Sequence, residues 1–310
     1  IGDTESLVTY DNEATLGVIT KIEKSTELNE IHDVTYWSSP TQGAVLGEIF
    51  AGVDPARIFE LRPADSNPAY IGTIYEHWFN ASGPMSEARG YAVEGSSVGI
   101  QTLNFTGVPN NGNYTRDLYY KGSPDVFPES DNFNMIGNPY PAAIDIQKFL
   151  LNNAIVNEIF LWTHATPNPG GEYNPDDYVT YNLSGGSSVD GVEKNIGSGQ
   201  GFMIRSTNFG SVLFDNGLKL EDENDQFFKS NAPKKDIFND QSPDRFWLTL
   251  SNNNGVRDEI LIAFNDGSTE AFDPKFDSYY VNYPKDINLY SLIDDDKMVI
   301  QDLGTFDESK

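Results

Sequence analysis

The 310-residue chain carries 47 acidic and 20 basic side chains, a net charge of −27, and no cysteine. Such a surface repels nucleic-acid phosphates and anionic membranes and attracts cations, Ca²⁺ among them. Without cysteine there is no disulfide scaffold, thiolate nucleophile or zinc–thiolate centre, and no apolar run reaches the roughly 18 residues that would span a bilayer.

Short alternating runs follow one another along the chain. They are "SLVTY" (6–10), "LGVITKIEK" (16–24), "IQTLNF" (100–105), "GFMIRS" (201–206), "SVLFD" (211–215), "FWLTLSN" (246–252) and "EILIAFN" (259–265). Gly, Asn, Asp and Pro separate them. Period-two patterns of this length predict an all-β chain of tandem sandwich or jelly-roll-like domains. The exception lies at 142–154, where Ile144, Ile146, Phe149, Leu150 and Leu151 recur at helical spacing and Asn152 and Asn153 mark a stop. That spacing predicts a short capping helix, so one or two such helices are expected in the chain. Pro139 and Pro141 hold the backbone before it extended.

The segments over 36–107 reappear, in order, over 135–217. "YWSSPTQGAVLGEIFAG" parallels "IGNPYPAAIDIQKFLLN", and "ARIFEL" parallels "NEIFLW". "ARGYAVEG" parallels "GQGFMIRS", and "TLNFTGVPNNG" parallels "SVLFDNG". Four matches in the same order indicate an internal duplication of one β unit. Polar linkers over 119–132 and 220–244 separate the pieces. The expected organisation is leading strands over 1–34 packing on the first domain, a sandwich repeat over 35–120 and a second over 131–220. A linker over 221–244 and a third β unit over 245–310 follow. The third unit stops with its pattern incomplete, so the chain reads as a fragment or a processed form.

The stretches "YWSSP", "RGYAV", "MIGNPYPAAIDIQKFL", "SGQGFMIRS" and "RFWLTLSNNNGVRDEILIAFNDGSTEAFDPKFDS" resemble a recurring region of large secreted or cell-surface proteins of Bacteroidota. Proteins of that kind leave the cell by the type IX secretion system. The resemblance covers residues 30–310 and implies a secreted or surface protein, adhesive or accessory to a larger enzyme. It also implies the type IX machinery as a partner, reached through a carboxy-terminal sorting domain that this chain lacks. A surface glycan or other surface proteins are the further partners it suggests.

Candidate chemistry is sparse. The histidines, His32, His77 and His164, form no HxxxH pair, and no GxSxG elbow is present, so the expectation is a non-enzymatic chain. The loop "PNPGGEYNPDDY" (167–178) places Glu172, Asn174, Asp176 and Asp177 on turn-prone backbone. Its first reading is a hairpin loop, and its second is a Ca²⁺ site of hard oxygen ligands. "IDDDK" (293–297) reads as a hairpin turn, and Asp266, Asp273 and Asp277 as turn residues whose carboxylates accept from nearby amides. Trp37, Trp162 and Trp247 fall at core positions. Trp78, with Tyr75 and Tyr173, makes the candidate platform for stacking on a sugar ring, the mark of a carbohydrate-binding alternative. Gly90 and Gly201, each before an aromatic strand, serve backbone geometry.

Overall fold

The computed structural model describes residues 1–14, 16–17, 19–73, 75–123, 132–163, 177–188, 195–221, 223–224, 244–253, 257–280 and 287–306. The first group of elements is β1 (Ile19–Leu28), β2 (Val34–Trp37), α1 (Leu46–Ile49), β3 (Ile58–Leu61), β4 (Trp78–Asn80), β5 (Tyr91–Glu94) and β6 (Gly99–Gly107). The second opens with β7 (Tyr114–Leu118), β8 (Phe133–Gly137), β9 (Ile144–Asp145), α2 (Ile146–Asn152) and β10 (Val156–Trp162). It continues with β11 (Tyr178–Asn182), β12 (Gly185–Gly186), β13 (Asn195–Ile196), β14 (Gly201–Ser206) and β15 (Gly210–Phe214). The third is β16 (Asp244–Ser251), β17 (Arg257–Phe264), β18 (Ser278–Tyr279), β19 (Ser291–Ile293) and β20 (Asp296–Asp302).

The chain is all-β, and the duplication is visible strand by strand. In the first unit a sheet of order β2-β5-β3-β4 faces the ribbon β1-β6. In the second, β8-β14-β10-β11, extended by β12, faces the ribbon β7-β15. Each of the six strands of the first unit therefore has a counterpart in the second at the same place in chain order, and β9, β12 and β13 are additions of the second. The registers fix the residue equivalences. Trp37 pairs with Tyr91 as Ile136 pairs with Phe202, and Phe59 pairs with Ala92 as Phe160 pairs with Met203.

This topology moves one boundary. β7, expected at the end of the first repeat, pairs through all five of its residues with β15 of the second. β1, expected as a leading strand, is the first unit's own counterpart of β7. The units therefore divide between β6 and β7, ahead of the polar 119–132 stretch.

Alternation gives each unit two apolar faces. The inner residues Trp37, Ile58, Tyr91 and Val93 bury against Ile22 and Phe105. Their counterparts Ile136, Ile159, Phe202 and Ile204 bury against Val212 and Phe214. The short helices add Leu46 to the first core and Ile146, Phe149 and Leu150 to the second. α2 begins where Asp145 accepts the Lys148 amide at 3.0 Å. It ends where Asn153 donates to the Phe149 carbonyl at 2.9 Å, leaving Leu151 exposed. Capping by Asp and Asn at these positions satisfies amide and carbonyl groups the helix leaves open.

The outer faces of the two four-stranded sheets pack on each other. Their shared cluster consists of six equivalent pairs: Val34 and Phe133, Tyr36 and Met135, Phe59 and Phe160, Leu61 and Trp162, Trp78 and Tyr178, Ala92 and Met203. Such reciprocity is the mark of an approximate two-fold axis. The main chain obeys it too. Ser38 donates its amide to Gly199 at 2.7 Å, and its counterpart Gly137 donates to Ala88 at 3.1 Å. Ala88 and Gly199 both take positive φ, +55° and +69°. A Cβ at Gly90 would lie 2.6 Å from the Ile136 carbonyl oxygen, and one at Gly201 would lie 3.0 Å from the Trp37 nitrogen. The two glycines thus open room for the other unit's backbone. Each fully buried large side chain contributes roughly 1.5–3 kcal/mol, so the apolar seam outweighs any single hydrogen bond across it, worth about 1 kcal/mol.

The proline corners meet at the same place. In one, Asn138 accepts the Tyr140 amide at 2.9 Å, and in the other Ser39 accepts the Thr41 amide at 3.2 Å. Asn110, fully buried, donates to both corners, at 2.9 Å to the Ser39 carbonyl and 2.9 Å to the Pro139 carbonyl. Asn110→Ala should cost about 2 kcal/mol, because two buried acceptors lose their donor. Urea unfolding would show it as a lower midpoint with an unchanged slope.

The third unit is a sheet of order β16-β17-β20-β18, with β19 also on β20. β19 and β20 form the hairpin expected at "IDDDK". The unit docks on the β11–β12 turn. Trp247 donates its indole N–H to the Gly186 carbonyl at 3.0 Å, Arg245 reaches the Ser184 carbonyl at 3.2 Å, and the Leu183 amide meets the Lys275 carbonyl at 3.1 Å.

Candidate functional site

Of the residues singled out by sequence for binding, Trp78, Tyr75 and Asp177 fall among the described residues. Trp78 is half-buried in the inter-unit seam, 6.4 Å from the Tyr36 ring centroid. Its indole belongs to packing, as do those of Trp37 and Trp162. Tyr75 is also half-buried and sits edge-on to Tyr70 at 6.3 Å. Tyr173, Glu172, Asn174 and Asp176 lie outside the described residues. Asp177 is buried, and its backbone carbonyl accepts the Thr163 amide at 2.8 Å. Of the histidines, His32 contacts Glu94 at 3.0 Å, His77 contacts the Asp65 carbonyl at 2.7 Å, and His164 lies outside the described residues.

The third unit holds a buried acidic pair that serves the fold. Asp302 accepts from Ser184 at 2.6 Å and from the Asn265 amide at 2.9 Å, as well as from the Asn265 side chain and Ser268. Asp277 accepts the Asp273 amide at 2.6 Å and the Asp302 amide at 2.7 Å. Asp273 itself accepts from Thr269. Asp273 and Asp277 accept nearby amides, as expected of this stretch, while Asp266 accepts from the Thr305 hydroxyl at 3.2 Å. Among the described residues, no group of three or more His, Cys, Asp or Glu side chains is placed to hold a metal ion.

Burial raises the Asp277 carboxyl to about 6, with the charges of Asp273 and Asp302 adding to the effect and the two amide bonds opposing it. The folded chain thus binds this proton more tightly than the unfolded chain does. Its contribution to stability is full below about pH 4 and is lost as pH rises through about 6. Removing the group should flatten that part of the profile. Thermal melts across pH 4 to 7 are expected to show the parent losing Tm relative to Asp277→Asn as pH rises through about 6, and an unchanged difference would refute the buried proton.

A cleft absent from the sequence expectations opens where the units join. Its walls are the end of β3 and the residues after it (Leu61, Arg62, Pro63, Ala64), Arg89 before β5, β7 and its exit (Arg116, Asp117, Tyr119), and β8 (Asn134, Met135, Ile136). The enclosed volume is about 190 Å³. Three arginines line it in a chain of net charge −27. Two are held by one buried carboxylate: Arg62 Nε donates to Glu60 at 2.6 Å, and Arg89 Nη2 lies 2.9 Å from its other oxygen. Arg62 also lies over the Phe79 ring at 4.8 Å, and Arg89 over Tyr91 at 5.8 Å. The far wall is equally fixed, since Asn134 and the Tyr119 backbone exchange hydrogen bonds of 2.7 and 3.0 Å. Among the described residues, none makes a hydrogen bond or ion pair with the half-buried Arg116 side chain. Burial, and then the neighbouring Arg89, lower its guanidinium below the ordinary value, which still leaves it charged at neutral pH.

Glu60 occupies an inner-face position where the second unit has Leu161. That carboxylate in "IFEL", against the leucine in "IFLW", is the sequence signal that could have marked the cleft.

The whole chain, residues 1–310, matches the family described as "Domain of unknown function (DUF8693)", and the protein belongs to it. No curated protein and no solved structure matches the chain.

Proposed function

We propose that the chain is a non-enzymatic structural or adhesive segment of a large secreted or cell-surface protein, exported as type IX secretion cargo. The observation that carries this reading is the seam: two sandwiches share one apolar cluster and reciprocal main-chain bonds. A third unit is pinned to the second. A block joined in this way resists bending, which suits a segment that spaces or presents its neighbours. The acidic surface keeps such a block soluble and apart from anionic membranes. A chain free of cysteine holds its fold without disulfides when its cores are large enough. The resemblance supplies the export route.

The test follows the full-length protein in its own cells. Protease added to intact cells should cleave it, and disabling the type IX translocon should leave it inside and protected. Full protection in unmodified cells would overturn the reading.

A further inference from the structure

We propose that the inter-unit cleft is a binding site for a small monoanionic oxyanion group, a carboxylate or a sulfate monoester, held by Arg62, Arg89 and Arg116. The internal duplication supplies a control for the argument. The cleft has a counterpart position on the other side of the pseudo-axis, and there the equivalents of Arg62, Arg89 and Arg116 are Thr163, Gln200 and Lys24. One side of a symmetric molecule has thus gathered three guanidinium groups, and the other has one ammonium.

The two equivalent basic residues differ in what they meet. Lys24 is fully buried and donates to the Asp3 carbonyl, so the amino-terminal segment covers it. Arg116 meets the cavity and has no such bond among the described residues. For Arg116, burial and the neighbouring Arg89 outweigh the help it gets from Asp117 and Glu60, so a further anion in the cleft would stabilise it. The site is also prearranged. Glu60 locks two of the arginine forks and an asparagine clamps the opposite wall, so little side-chain freedom remains to be lost on binding.

Charge and size narrow the ligand. With Glu60 and Asp117 counted against the three arginines, the cleft keeps one net positive charge. That matches a carboxylate or a sulfate monoester better than a phosphate dianion. Planar guanidinium forks bind such groups through two parallel hydrogen bonds. A volume of about 190 Å³ admits the oxyanion and the part of a sugar or acid that carries it.

Thermal melting of the full chain at constant ionic strength tests the proposal, with glucuronate, glucose 6-sulfate, inorganic phosphate and glucose as probes. A ligand that binds only the folded state must raise Tm. One or both monoanions should raise Tm by a degree or more at millimolar concentration, with glucose silent and phosphate weaker. Arg116→Gln should abolish the shift and, without ligand, melt at or above the parent. Arg62→Gln, a change at a more exposed side chain, should also weaken the shift and keeps the test open if the first variant folds poorly. The proposal is overturned by the absence of a shift with both monoanions, by an equal shift in both variants, or by a phosphate shift larger than either. It is also overturned if Arg116→Gln folds but melts well below the parent, which would make Arg116 a packing residue.

Discussion

Gly137→Ser should destabilise the chain by about 3 kcal/mol, the upper range for forcing atoms into a filled space, and Ser38→Gly in the same chain should restore most of the loss. The two positions face each other across the pseudo-axis. A Cβ at Gly137 would lie 2.3 Å from the Ser38 Cβ and 3.2 Å from the Arg89 carbonyl oxygen. No rotamer change relieves a clash between two Cβ atoms, so the units must separate or the strands must bend. The exchanged pair places the one permitted side chain on the other unit, in a setting the duplication has made equivalent. Denaturant unfolding of both single variants and the double variant forms a thermodynamic cycle. A double variant no more stable than Gly137→Ser would refute the self-facing geometry.

Asp302→Ala should cost about 4 kcal/mol, in the range for removing one member of a buried charged hydrogen-bond network. Asp302 is fully buried and gathers donors from three places: Ser184 of the second unit, Asn265 and Ser268 after β17, and the Gly304 amide at 3.3 Å. Alanine removes the shared acceptor at the joint between the units: the Asn265 backbone amide loses its partner, and Ser184, Ser268 and Gly304 each keep only one other acceptor. The loss should fall on the third unit first, so unfolding should split, with an early transition while the paired sandwiches stay folded. Hydrogen exchange would show β17 and β20 losing protection ahead of β10 and β14. A single transition within 1 kcal/mol of the parent would show that Asp302 does not hold the joint.

Much of the fold could be read in advance because burial imposes a period. Ile136, Phe202 and Ile204 alternate with Met135 and Met203 because one set enters the core and the other the seam. The same rule wrote "RGYAV" and "GQGFMI", with glycines where the partner backbone comes close. The boundary was harder to read, because charges interrupt the apolar alternation of β1 (Lys21, Glu23, Lys24, Glu27) and β7 (Arg116, Asp117). Lys24, fully buried in β1, breaks the usual pattern and hid the strand's place in the first unit. Trp78 looked like an exposed platform because one sandwich alone would leave it so. Its burial depends on a second sheet that no local pattern announces. The cleft was the least legible feature. Arg62, Arg89 and Arg116 come from three separate parts of the chain, and isolated arginines in an acidic sequence read as ordinary solvated charge.

The contact between positions 38 and 137 also bears on descent. Two identical molecules related by a true dyad must carry the same residue wherever that dyad passes between a position and its own image. At this spot the distance admits glycine twice or one side chain once, never two. Joining both halves in a single polypeptide lifts that constraint, so a serine can settle on one side while the other stays bare. The same release from sameness lets arginines accumulate on one flank only, a lopsidedness no homodimer could encode.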